Sequence, residues 1–393
     1  MTTAYVVCHL KICTEMNIKN GKSFRNFSII LLFLAMPLIG TAQETKPPIY
    51  TSPIVNSDRT IEFNTYAPKA ENVLLISTIQ PERIPLVKAE NGLWSVTIGP
   101  VAPEIYHYQF DIDGAKVTDI KNQSPYPWLE GKSELIVPGS SALLHEVSDV
   151  PHGTLHDHIY HSKTIDGPNR VRIYTPPNYN PLDAKQYPVL FLLHGFGEKV
   201  SFWSDFGKIN LITDNLIAQD KIIEPIIVMP KGDPLEAEYY KFFSSQAAGN
   251  AWMEKNIDVL DKELRDDLLP FLKSHYKVKT EKQDMAICGS SMGGFHAVIL
   301  GIRNLDKFSW IVGLSTGLNI PPFNIVDKEQ INGLKLLQLN TSKKDTWGFG
   351  QSNKVHDWLT NNSIKHNYIV SDGGHEWDTW RKDMILLLPK LFR

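Results

Sequence analysis

A serine flanked by glycines, Gly289-Ser290-Ser291-Met292-Gly293, follows the apolar run Met285-Ala286-Ile287-Cys288 and precedes a helical stretch, Phe295–Leu300. Gly-x-Ser-x-Gly between a strand and a helix sets the serine hydroxyl on a sharp turn above a sheet. The same turn brings backbone N–H groups and a helix N-terminus close by, where negative charge is stabilised. Ser291 is therefore the expected nucleophile of an acyl-transfer reaction. A serine hydroxyl needs a base, and a carboxylate to orient that base. In this kind of fold both follow the serine, the acid first. His375 stands in Asp372-Gly373-Gly374-His375-Glu376-Trp377, just past the last strand-like run, and is the expected general base. Asp345 follows another strand-like run, 54 residues after Ser291 and 30 before His375, and is the expected acid. The oxyanion needs two backbone donors. The N–H of Met292, after the nucleophile, is one. The N–H of Phe196, in His194-Gly195-Phe196-Gly197-Glu198, is the other. His194 is expected to shape that turn. Trp377, Glu376 and Ser290 flank the triad in sequence and are candidate substrate contacts.

These residues need a sheet beneath them. After Ser148-Asp149, short apolar runs alternate with helical segments: Pro188–Leu193, Pro225–Met229, Met285–Cys288, Trp310–Leu314, Leu334–Leu339 and Asn367–Val370. Uniformly apolar strands between helices predict a mostly parallel sheet covered on both faces, an α/β fold over residues 149–393. The clearest helix is Asp258–Tyr276, which Pro270 should kink. Residues 46–148 read differently. Ile61–Tyr66, Leu93–Ile98 and Ile105–Ile112 alternate, and Asp113-Gly114 marks a tight turn. A small all-β immunoglobulin-like sandwich is predicted there, with Trp94, Tyr106 and Tyr108 mainly in its core. His152, His156, His158 and His161 read as an exposed edge strand, with a metal site as the alternative.

The 393 residues suffice for two domains, and 42% are hydrophobic. With 40 basic and 43 acidic residues there is no charge imbalance to attract nucleic acid or an anionic membrane. Residues 1–45 have the layout of a secretory signal: Lys19, Lys22 and Arg25, then the apolar Ser28–Ile39, then small residues. An exported, periplasmic or secreted chain with no membrane association after cleavage is expected. Of three cysteines, Cys8 and Cys13 precede the cleavage region, leaving Cys288 as a packed core residue.

The stretches VLFLLHGFGE (189–198), PIIVMPKGD (225–233), GSSMGGFHA (289–297) and GGHEWDTWRKDM (373–384) resemble the family 1 carbohydrate esterases. These include feruloyl esterases and acetyl xylan esterases. IEFNTYAPKAENV (61–73) and GLWSVTIGPVAPEIYHYQFDIDG (92–114) resemble the glycogen-branching-type sandwich module that often precedes such an esterase. The resemblance implies an α/β-hydrolase fold with Ser291, Asp345 and His375 as the triad and Met292 and Phe196 as oxyanion donors. It implies no metal or other cofactor. The implied substrate is an acyl ester, feruloyl or acetyl, on a polysaccharide such as xylan. A siderophore esterase and an acyltransferase are the alternatives, with a non-catalytic carbohydrate-binding protein behind them. Three positions depart from the family: Ser290 where Leu is common, Ser342 in the place of a Gly, and Glu376 in the place of a Thr.

Overall fold

A computed structural model describes residues 47–122, 125–126, 131–139, 143–316 and 328–393. The leader expected over residues 1–45, with Cys8 and Cys13, lies outside the described residues. Pro48–Arg393 forms one compact unit.

Within that unit, the first part is a β-sandwich. One sheet pairs Ile54–Val55, Ile61–Tyr66, Leu93–Ile98 and Val87–Lys88 in that order. The other centres on Val73–Ser77, Glu104–Ile112 and Lys132–Val137. Phe63 from the first sheet meets Tyr108 from the second edge-to-face at 4.8 Å, with Leu75, Trp94, Phe110 and Leu135 buried around them. Tyr106 is partly buried and packs on this core. Asp113 and Gly114 both have positive φ, 50° and 89°, as a two-residue hairpin turn requires. The strand Glu104–Ile112 departs from simple alternation: His107, Gln109 and Asp111 on its second face are buried too. On that face His107 lines the cavity described below and Asp111 accepts from Arg83 at 3.1 Å.

That part carries an eight-stranded sheet. We number its strands β1 (Thr154–Ser162), β2 (Gly167–Thr175), β3 (Val189–Leu193), β4 (Ile226–Pro230), β5 (Met285–Ser290), β6 (Trp310–Leu314), β7 (Leu336–Ser342) and β8 (Asn367–Ser371). Their order is β1-β2-β4-β3-β5-β6-β7-β8; β2 pairs antiparallel with both β1 and β4, and the other pairs are parallel. Alternation along β3 explains its uniformly apolar sequence. Val189, Phe191 and Leu193 enter one core layer, while Leu190 and Leu192 enter the other. Each face is buried beneath helices, so neither can be polar.

The predicted helix Asp258–Tyr276 begins earlier, at Gln246, where the Ser245 side chain accepts the Ala248 N–H at 3.2 Å. It does not simply kink at Pro270. A π-helical turn, Leu264–Leu268, interrupts it immediately before Leu269–His275. Proline lacks an N–H for the i−4 carbonyl and crowds it, and the wider turn absorbs that defect. Cys288 is a free, buried cysteine in β5 whose thiol burial pushes upward. Strand β1 is a sheet edge. Its His156 and His158 rings stack at 6.3 Å and pair separately with the Thr175 and Tyr276 hydroxyls. Among the described residues no helix is long and apolar enough to cross a membrane.

Candidate active site

The turn from β5 into the helix Met292–Arg303 puts Ser291 at φ 56°, ψ −120°. A β-substituted residue holds such a backbone at a cost of about 1–3 kcal/mol. The Ser291 N–H is fixed by the Leu314 carbonyl of β6 at 2.9 Å. The motif's glycines make this geometry possible. A Cβ on Gly293 would lie 2.4 Å from the Leu193 carbonyl oxygen, and one on Gly289 would lie 2.4 Å from the Gly293 carbonyl oxygen.

The Ser291 hydroxyl donates to His375 Nε2 at 3.0 Å, and His375 Nδ1–H donates to Asp345 Oδ2 at 2.8 Å. Asp345 is fully buried in the loop just after β7, its N–H on the Ser342 carbonyl at 3.1 Å. Burial alone would raise its carboxyl, but hydrogen bonds from His375 and the Gly348 N–H outweigh it and hold the group below the usual range. The Trp347 N–H also donates to Asp345 Oδ1, at 3.2 Å. The acid and base loops are laced together. The Ser342 hydroxyl donates to the Gly374 carbonyl at 3.2 Å, and the Lys344 N–H to the Gly373 carbonyl at 3.2 Å. Ser342, the residue in the family's Gly place, is thus a strut between the two loops. The His375 ring stands at 70° to Trp347 and 82° to Trp380, with centroids 5.0 and 5.2 Å away. It is packed as well as bonded.

Met292 is the first residue of its helix, so its N–H has no acceptor within the helix. Phe196 lies in the loop after β3, next to Gly195, whose Cβ position would be 3.4 Å from the Ser291 Cβ. His194 is buried and shapes that loop, as expected: its Nδ1–H donates to the Gly195 carbonyl at 2.8 Å and its Nε2 accepts the Gly232 N–H at 3.0 Å. Burial lowers its imidazole to about 4, which suits the accepting role.

Ser291 and His375 open into a cavity of about 440 Å³. Phe196, Phe242, Phe243 and Trp347 give it an aromatic wall. The Phe196 ring lies tilted against Tyr239 at 4.5 Å and Phe242 at 4.7 Å and edge-on to Phe243 at 5.8 Å, so the three phenylalanines form one cluster. Thr78, His107 and Lys132, all from the sandwich, line it as well. Sequence reasoning named none of these three. Only the strand of His107 is read, as part of the sandwich, and nothing local marks the residues turned toward the cavity. Phe242 and Phe243 also escaped it; two adjacent aromatics in a polar segment were the available signal.

The three candidate substrate contacts fare differently. Glu376 lines the cavity. Burial first, and then the nearby Asp378 charge, push its carboxyl up to about 7 against the pull of Lys132 and Lys382. Trp377 borders the cavity as part of the core, 3% exposed and edge-to-face with Trp203 at 5.1 Å. Ser290 is not in the wall. It is fully buried at the end of β5, paired with Leu314 inside the sheet, which corrects the expectation of substrate contact.

Residues 162–325 match the family described as "Esterase: Putative esterase". That match spans the Phe196 loop and the Ser291 turn and stops before Asp345 and His375. An endo-1,4-beta-xylanase/feruloyl esterase of Xylanibacter ruminicola is 29% identical over 349 residues, covering 87% of this chain. The chain spans only 46% of that relative's length. A ferulic acid esterase structure from Anaeromyces mucronatus aligns with TM-score 0.53 and 20% identity, covering 63% of this chain and 93% of that one. The enterobactin esterase of Shigella flexneri aligns with TM-score 0.62 and 15% identity, covering 85% and 93%. At these identities the solved structures establish the fold, that of the α/β-hydrolases.

Proposed function

We propose that the chain is a serine carboxylic ester hydrolase that releases acyl groups, feruloyl or acetyl, from polysaccharide such as xylan. One observation carries the reading: the Ser291–His375–Asp345 hydrogen-bonded line, open to a cavity walled by aromatic rings. His375 Nε2 takes the Ser291 proton as Oγ attacks the ester carbonyl. The Met292 and Phe196 N–H groups hold the oxyanion. Protonated His375, steadied by Asp345, returns its proton to the leaving alcohol. Water, activated in turn by His375, releases the acid and restores Ser291. The aromatic wall suits a planar acyl group, with offset or edge-on ring packing. The esterase-family segment and the bifunctional xylanase/feruloyl esterase relative support this substrate class. The leader-like residues 1–45 fit an exported enzyme meeting polysaccharide outside the cell.

A second reading, a siderophore-type esterase, is favoured by one observation: the likeness to enterobactin esterase covers 85% of the chain and so extends over the sandwich. Purified protein offered methyl ferulate, acetylated xylan and a catecholate trilactone separates the readings. Ferulate or acetate release with the trilactone intact supports the first. Faster trilactone cleavage overturns it.

A further inference from the structure

The acyl-transfer steps above make no use of a buried carboxyl that lies against the loop bearing Phe196. Glu198 is buried, and its Oε2 accepts the Gly195 N–H at 2.7 Å. Its own N–H returns to the Gly195 carbonyl at 3.3 Å, so the turn is closed twice. A Cβ on Gly195 would lie 3.2 Å from the Glu198 carboxyl carbon and 3.4 Å from the Ser291 Cβ, so both side chains close on the same open side of Gly195. Both peptides flanking the Gly195 Cα are therefore held. The preceding one is gripped through its N–H by Glu198, and the following one through its carbonyl by His194. A trans peptide points its N–H opposite to its carbonyl. With the Gly195 carbonyl tied down to His194, the N–H of the same peptide, that of Phe196, points the other way.

We propose that Glu198 is a positioning residue: by accepting the Gly195 N–H it fixes the loop so that the Phe196 N–H meets the oxyanion formed on Ser291. The inference rests on the acyl-enzyme reading above. The charge state of this carboxyl then matters. Asp233 approaches from the loop after β4, itself bonded by the Tyr239 hydroxyl. Burial first, with Lys231 and Glu236 bearing on it in opposite senses, pushes the Asp233 carboxyl up to about 8 as well, so its charge on Glu198 is felt only as pH rises; Lys199 follows Glu198 in the chain. His194, lowered by burial, is neutral. Burial first, with the Asp233 charge adding to it, pushes the Glu198 carboxyl up to about 8 despite the Gly195 hydrogen bond. At neutral pH Glu198 is an uncharged acid whose carbonyl oxygen can accept the N–H. Its ionisation at higher pH sets a buried anion beside the nascent oxyanion, so oxyanion stabilisation declines as pH rises through about 8.

The test measures kcat and KM for 4-nitrophenyl acetate from pH 6 to 9.5 in wild type, Glu198→Ala, Glu198→Gln and Ser291→Ala, with thermal melts as fold controls. Loss of one oxyanion donor typically costs about 10²–10³ in kcat. Glu198→Ala should lose on the order of 10²-fold in kcat with KM nearly unchanged. Glu198→Gln, uncharged at every pH and still an acceptor, should recover most of that loss and lack the alkaline decline of wild type. Full kcat in Glu198→Ala, a loss confined to KM, or superimposable wild-type and Glu198→Gln pH profiles would overturn the inference. Should Glu198→Ala fail to fold, the comparison of those two profiles decides. An inactive Ser291→Ala beside a fully active Glu198→Ala sinks only this inference, whereas an active Ser291→Ala sinks the acyl-enzyme reading itself.

Discussion

Arg381, on the helix Trp377–Leu387 that follows the His375 loop, donates to Glu104 of the sandwich at 3.2 Å. The guanidinium is 1% exposed and also donates to the Phe206 carbonyl at 2.9 Å. Lys382 adds a second cation to Glu104 at 3.1 Å. Burial would raise the Glu104 carboxyl, but the Ile105 N–H and the Arg381 and Lys382 charges outweigh it and keep it ionised. A sandwich residue thus anchors the helix behind the base.

Removing Arg381 leaves the largely buried Glu104 carboxylate with only the more exposed Lys382 to compensate it. Arg381→Met should destabilise the fold by about 3–5 kcal/mol. Adding Glu104→Gln should return part of that loss, because the carboxylate left with a single, more exposed cation is gone. Urea denaturation of both variants checks this; equal stability of Arg381→Met and wild type would remove the anchoring role.

Asp383 on the same helix is buried, and burial pushes its carboxyl up to about 7 against a hydrogen bond from Asn340. A carboxyl whose folded pKa is raised holds its proton longer when folded than when unfolded. Its cost to stability is absent below the unfolded value near 4 and grows until pH passes about 7. Asp383→Asn should therefore gain stability over wild type on going from pH 5 to pH 8, by roughly 1–4 kcal/mol. Denaturation at those two pH values tests it, and a gain independent of pH would contradict it.

The aromatic wall should discriminate between acyl groups. Phe242 lies 4.7 Å from Phe196 and lines the cavity. Phe242→Ala should lower kcat/KM for methyl ferulate about tenfold, the scale of one lost ring–ring contact, while sparing an acetyl ester. Parallel losses on both esters would place the acyl group elsewhere.

Much of this site was legible because its signals are local. The glycines at 289 and 293, the apolar run before them and the glycine-framed His375 each dictate their own backbone. Asp345 followed from the order of strands. The hairpin Thr154–Thr175 was seen only as an edge strand, since its partner strand carries polar residues on one face. The π turn before Pro270 was missed because periodicity records the apolar face and not the hydrogen-bond ladder. The sandwich residues Thr78, His107 and Lys132 were beyond reach, because only packing between distant segments brings them to the cavity. Ser290 looked functional by adjacency to Ser291, yet it ends a strand whose sheet pairing keeps it inside.

The Ser291 hydroxyl, bonded to His375 at 3.0 Å, is the proposed attacking group. The most direct measurement is the rate of methyl ferulate hydrolysis by purified, correctly folded Ser291→Ala. The account predicts a fall in kcat of at least about 10³-fold, with the remainder supplied by binding and the oxyanion donors. Hydrolysis at the wild-type rate would contradict it.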